Sequence, residues 1–155
     1  MVLSNQMPIA IKDTKINISS EKSTKELANQ FTEYLKGGEY IFLYGEMGVG
    51  KSTFVRYFIN EFQNINNLPK TEITSPTFSL LNEYQVKDIR IKHYDLFRIN
   101  KKVETNNLDI FEKDSKTITF IEWPELIAET KNINSINLTF SYSNNLNDRS
   151  VDIKV

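Results

Sequence analysis

Gly45-Glu46-Met47-Gly48-Val49-Gly50-Lys51-Ser52-Thr53 places two glycines five residues apart, directly ahead of a lysine and two hydroxyls. This Gly-x-x-x-x-Gly-Lys-Ser spacing is that of a loop that cradles phosphate. The glycines let the main chain take positive φ and approach an anion with no Cβ in the way. Successive N–H groups then point into one concavity. A helix starting near Lys51 adds the partial positive charge of its N-terminus. Lys51 supplies a full mobile charge for β- and γ-phosphates, and Ser52 offers a small hydroxyl oxygen to Mg²⁺. A glycine-rich turn without a ligand is the bland alternative, and the elements on either side argue against it.

Binding phosphate is not yet chemistry on phosphate, which also needs a carboxylate beside the metal. Two carboxylates are candidates. Glu122 ends the apolar run Thr117-Ile118-Thr119-Phe120-Ile121, at the carboxyl end of a strand, where ligands sit in open α/β sheets. Asp95 lies in His93-Tyr94-Asp95-Leu96-Phe97-Arg98, where period-2 alternation puts His93 and Asp95 on one face and Tyr94 on the other. Each carboxylate has a plain alternative as a surface charge at a strand end. The lone His93 reads as a packed or hydrogen-bonded structural residue. Trp123, ahead of Pro124, either caps the core or lies beside a nucleotide or a partner.

The elements that must position these groups follow from periodicity. Tyr40–Tyr44 is a continuous apolar run bounded by glycines, which reads as a strand buried on both faces of a parallel sheet. Phe54, Val55, Phe58, Ile59 and Phe62 form a helical stripe ending near Asn64. Strand, glycine loop and helix therefore follow one another. Upstream, Ser23 and Glu26 have capping-box spacing ahead of Leu27, Ala28, Phe31, Tyr34 and Leu35, with Gly37 and Gly38 as the stop. Lys15–Ile18 reads as a short strand. Ser75-Pro76-Thr77-Phe78 is a loop, because Pro76 keeps Ser75 out of helical space. Ser79–Val86 and Ile89–Tyr94 read as a hairpin around Lys87-Asp88, without the favoured glycine. A short helix is expected around Leu108, Ile110 and Phe111, and a second hairpin from Ile136–Ser141 and Ser150–Val155. The expectation is an α/β, P-loop NTPase-like fold, a central mixed sheet flanked by helices with a strand-rich C-terminal half.

Composition narrows the rest. The 155 residues fit one domain, 1–155, with 39% hydrophobic and 25% charged residues, too apolar for a disordered chain. Nineteen basic against twenty acidic residues give a net charge of -1, which argues against a dedicated nucleic-acid binder acting alone. With no cysteine and one histidine, disulfides, thiolate zinc sites, a cysteine nucleophile and a multi-histidine metal site are excluded. The N-terminal apolar run is shorter than the ~7–15 residues of a signal-peptide core. No segment approaches the ~18 apolar residues of a membrane span. A cytoplasmic protein without membrane contact is expected.

Taken together, Tyr44–Thr53, Ser75-Pro76-Thr77-Phe78 with Asn82-Glu83-Tyr84, His93-Tyr94-Asp95-Leu96-Phe97-Arg98, and Ile121-Glu122-Trp123-Pro124-Glu125 resemble the ordered motifs of the bacterial TsaE (YjeE) family. These are small P-loop ATPases of tRNA threonylcarbamoyladenosine synthesis. The resemblance covers roughly residues 20–130. It implies that Gly45, Glu46, Met47, Gly48, Val49 and Gly50 wrap the phosphates of ATP with Lys51, Ser52 and Thr53. Ser52, Asp95 and Glu122 would lie on the Mg²⁺ side. Thr77 would respond to the γ-phosphate, Glu122 would orient or deprotonate the attacking water, and Trp123 would lie beside the nucleotide. Two departures stand out: Glu46 where the family usually has Asp, and Phe97 where it usually has Tyr.

The resemblance also implies partners, the TsaD and TsaB proteins, which would hold the tRNA. The expected activity is slow Mg-dependent ATP hydrolysis stimulated by them. No arginine cluster is evident to neutralise developing charge; Arg56 and Arg98 are the candidates. A small P-loop kinase and a nucleotide-dependent interaction module with incidental hydrolysis are the alternatives. The first would need an arginine-bearing lid that the C-terminal half does not offer.

Overall fold

The computed structural model describes residues 14–99, 109–127 and 135–155. Its elements run β1 (Thr14–Asn17), α1 (Glu21–Tyr34), β2 (Tyr40–Tyr44), α2 (Lys51–Ile65), β3 (Leu81–Val86), β4 (Ile89–Asp95), β5 (Thr117–Glu122), a 3-10 turn (Pro124–Leu126), β6 (Ser135–Tyr142) and β7 (Arg149–Lys154). The seven strands form one sheet in the order β1-β7-β6-β2-β5-β4-β3. β2 pairs parallel with β5 and β6, and β4 pairs parallel with β5. The edges are antiparallel hairpins, β3–β4 and β6–β7, with β1 added to β7. The mixed sheet and both hairpins match the sequence reading.

Alternation along the strands separates two cores. Ile41, Leu43, Ile91, Ile118, Phe120, Leu138, Phe140 and Val151 face α1 and α2, meeting Leu27, Phe31, Phe54, Val55 and Phe58. Tyr40, Phe42, Tyr94 and Ile121 face the other way, under Leu96, Ile99 and Ile110. Both described α-helices thus lie on one face, while turns and the segment after β4 cover part of the other. β2 and β5 contribute to both cores, which explains why neither alternates in polarity. Phe54 is central: its ring meets those of Phe31 at 5.3 Å, Phe140 at 6.1 Å and Phe120 at 6.5 Å.

Three local expectations change. The N-cap of α1 is Ser20, not Ser23; Ser23 is the third helical residue, and the two serines complete the capping box between themselves. Glu26 takes no part in the cap: it lies a full turn too far along, so its side chain forms an i,i+4 ion pair with Lys22 at the surface. Ile110 and Phe111 lie in a turn instead of a short helix, and Leu108 falls outside the described residues. The Lys87-Asp88 turn closes without glycine because Lys87 itself takes φ 55. Among the described residues, no helix is long and apolar enough to cross a membrane.

Removing the Phe54 ring would leave a cavity lined by three other rings. Phe54→Ala is expected to lower unfolding free energy by about 3–5 kcal/mol, read from the urea midpoint at unchanged slope.

Candidate functional site

The loop after β2 is shaped by three left-handed glycines, Gly45 at φ 141, Gly48 at φ 81 and Gly50 at φ 118. Gly45 is required twice over. A Cβ there would stand 2.8 Å from the Phe140 carbonyl oxygen and 2.9 Å from Val49 Cγ1. The loop is therefore pressed against β6 as it turns into α2. Tyr142, at the end of β6, donates its hydroxyl proton to the Gly48 carbonyl at 3.1 Å.

Lys51 is the first residue of α2 and is 4% exposed. Its ammonium donates to the Gly45 carbonyl and lies 3.9 Å from the centre of the Trp123 ring. Burial lowers its pKa below that of a free lysine, and the charges of Glu122, Asp95 and Glu125 oppose that shift. Trp123 follows β5 with φ 60, a conformation that a bulky side chain takes only under constraint. Its carbonyl accepts from Leu126 N at 3.2 Å, and its ring packs 5.0 Å from that of Phe97.

The sheet brings the two carboxylates together. Asp95 and Glu122 are register partners on β4 and β5, with side chains on the face that carries α2. Glu122 Oε2 accepts from Ser52 Oγ at 2.7 Å and lies 2.7 Å from His93 Nε2. Asp95 accepts from Thr77 Oγ1 at 2.8 Å and from the Phe97 amide at 3.0 Å. Ser75 Oγ lies 2.8 Å from Thr77 Oγ1 and 3.4 Å from Ser52 Oγ. A continuous polar network thus runs from Asp95 through Thr77, Ser75, Ser52 and Glu122 to His93. The Ser75–Thr77 loop is tied down by Asn82, whose amide donates to the Thr74 carbonyl at 3.0 Å, and by Leu80 N, which donates to the Pro76 carbonyl at 2.7 Å.

Lys51, Ser52, Ser75, Thr77, Asp95, Glu122 and Trp123 line one cavity of about 330 Å³. From the sequence reading, Met47, Gly48, Gly50, Lys51, Ser52 and Thr53 are there, as are Thr77, Asp95, Glu122 and Trp123. Gly45, Glu46 and Val49 are not in its lining. Gly45 serves through its carbonyl, Glu46 is exposed, and Val49 sends a fully buried side chain into the core. Neither candidate arginine is there. Arg98 stacks on the Phe78 ring at 4.0 Å, and Arg56 lies beside Tyr57 at 5.4 Å. The lining adds Ser75, Phe97 and Arg149, which sequence reasoning did not assign to the site. Ser75 stands in a motif already singled out; Arg149 has no local signal, lying 100 residues beyond the Val49 it approaches.

The model of the family described as "Threonylcarbamoyl adenosine biosynthesis protein TsaE" matches residues 18–151. The chain belongs to the TsaE family. A tRNA threonylcarbamoyladenosine biosynthesis protein TsaE from Rickettsia typhi is 38% identical, over 71% of this chain and 74% of that protein. The TsaE protein of Aquifex aeolicus is 33% identical, over 72% of this chain and 77% of its own length. Among solved structures, Bacillus subtilis YdiB superposes with a TM-score of 0.68 at 21% identity, over 90% of this chain and 83% of that one, which supports the same fold. In this TsaE-family chain the resemblance therefore reaches beyond residues 20–130, to residue 151 in the strand that carries Arg149.

The buried Lys51 charge costs stability while no anion neutralises it. Lys51→Met, which keeps the stem, is expected to melt at or above the wild-type temperature without nucleotide. Because the folded pKa lies below the unfolded value, the unfolded chain holds this proton more tightly. Wild-type stability therefore gains relative to the variant as pH rises through the folded Lys51 pKa toward 10.5. Differential scanning calorimetry from neutral to alkaline pH checks both statements.

Proposed function

We propose that this TsaE-family protein is a Mg-dependent ATPase that supports threonylcarbamoyladenosine modification of tRNA together with TsaD and TsaB proteins. The observation that carries the reading is the convergence of one buried ammonium, one hydroxyl and two carboxylates on the mouth of a three-glycine loop.

Each residue then has a task. Main-chain N–H groups of residues 46–52 and the α2 N-terminus hold the triphosphate. Lys51 turns its ammonium from the Gly45 carbonyl and the Trp123 ring to the β- and γ-phosphates. The donor set suits Mg²⁺, which favours oxygen ligands and keeps several waters. Ser52 and Asp95 would hold it, with Glu122 beside them. Bound Mg²⁺ would neutralise charge building on the β- and γ-oxygens. Glu122, held by donors on one oxygen, orients the attacking water and takes up its proton as the γ-phosphorus–oxygen bond to ADP breaks. Thr77 reports occupancy, since its hydroxyl is already bonded to Asp95.

The net charge of -1 fits a protein that leaves the tRNA to its partners. An ATPase that waits for a partner is expected to be slow alone, and phosphate release without any acceptor separates it from a kinase. Glu122→Gln should keep Mg-ATP affinity within about threefold and slow phosphate release by about 100-fold or more. Turnover equal to wild type would remove Glu122 from this role. Equal wild-type rates with and without a TsaB–TsaD pair would remove the partner dependence.

A further inference from the structure

The two carboxylates reach the cavity from β4 and β5, on one side of β2, whereas Arg149 reaches it from β7, on the other side. We propose that Arg149 is a nucleotide-binding residue for the α-phosphate end of the ligand, opposite the metal and the γ-phosphate. The proposal rests on the phosphate-loop reading above.

Three observations carry it. First, the arginine is built in. Its amide donates to Ser19 Oγ at 2.9 Å, and its carbonyl accepts from Ile18 N at 2.9 Å. Directly across the hairpin it pairs with Tyr142, the residue bonded to the Gly48 carbonyl. The β6–β7 hairpin thus touches the loop with both members of one cross-strand pair. Second, the guanidinium lies against the loop. Nη1 is 3.5 Å from the Val49 carbonyl oxygen and 3.5 Å from where a Cβ on Gly50 would be. Third, its charge has no acidic partner: among the described residues no carboxylate forms an ion pair with it. A half-buried guanidinium beside an anion-binding loop, with donors to spare, is suited to a phosphate oxygen.

Charge decides which phosphate. Asp95 and Glu122 repel bare phosphate oxygens and would draw a divalent cation, so the phosphates whose charge it would neutralise belong on their side. The remaining end of the chain leaves on the side of β6 and β7, where Arg149 is the charged group in the lining. Arg149 therefore serves ADP and ATP alike and adds nothing specific to the γ-phosphate.

Calorimetric titration of the full chain with Mg-ADP, Mg-ATP and Mg-pyrophosphate tests this. Arg149→Ala is expected to weaken both nucleotides about tenfold and pyrophosphate less than twofold. Arg149→Gln, which keeps most of the stem and a donor toward Val49, should show the same losses and provides the comparison if the alanine variant unfolds. Equal loss of pyrophosphate would overturn the proposal in favour of a loop-holding role. Loss of ATP binding alone would place the arginine at the γ-phosphate, and variants that bind like wild type would remove it from the site. A wild-type chain that binds none of the three would instead remove the phosphate-loop reading itself.

Discussion

Lys51 holds an ammonium out of water at the carboxyl end of the parallel central strands, and the surrounding structure is arranged so that this charge can be kept there. Desolvation works against it. A main-chain carbonyl, an indole face and nearby carboxylates work for it. An indole face is worth up to about 2 kcal/mol to a desolvated cation. None of these groups matches a polyphosphate as a counter-ion. The site is thus charged and partly compensated, and under the proposed function this is electrostatic preorganisation for the phosphates of ATP.

That requirement reaches far into the fold. Trp123, the residue after β5, covers the ammonium from a left-handed backbone conformation, and the parallel pairing of β4 with β5 puts Asp95 level with Glu122. Both depend on strands buried on two faces. The helices on one side and the turns on the other bury those strands. His93, one rung below on β4, is 1% exposed and lends Glu122 a buried neighbour. The packed or hydrogen-bonded histidine read from the sequence is both, and its hydrogen bond supports Glu122.

Much of this was legible in the sequence because its causes are local. The apolar run Tyr40–Tyr44, the glycine punctuation after it and the Phe54-Phe58-Phe62 stripe each report a single element and its neighbours in the chain. The Ser20 cap was hidden because two overlapping patterns compete there. Ser23–Glu26 has the stronger chemical signature, yet the helix begins where Ser20 and Ser23 satisfy each other. The hydroxyl chain through Ser75 and Thr77 and the approach of Arg149 have causes that no window of sequence contains. They come from a loop folding back over the sheet and from the β6–β7 hairpin reaching across to the loop at Val49.

The chain has one tryptophan, and it lies against the charge that matters. Titrating the nucleotide-free protein with Mg²⁺ and a non-hydrolysable ATP analogue, while recording Trp123 emission and the heat of binding together, therefore reports on the central claim directly. If the ammonium leaves the indole for the phosphates, both signals should change and saturate together at one nucleotide per chain. Emission that stays constant while no heat is released would contradict the account at its root.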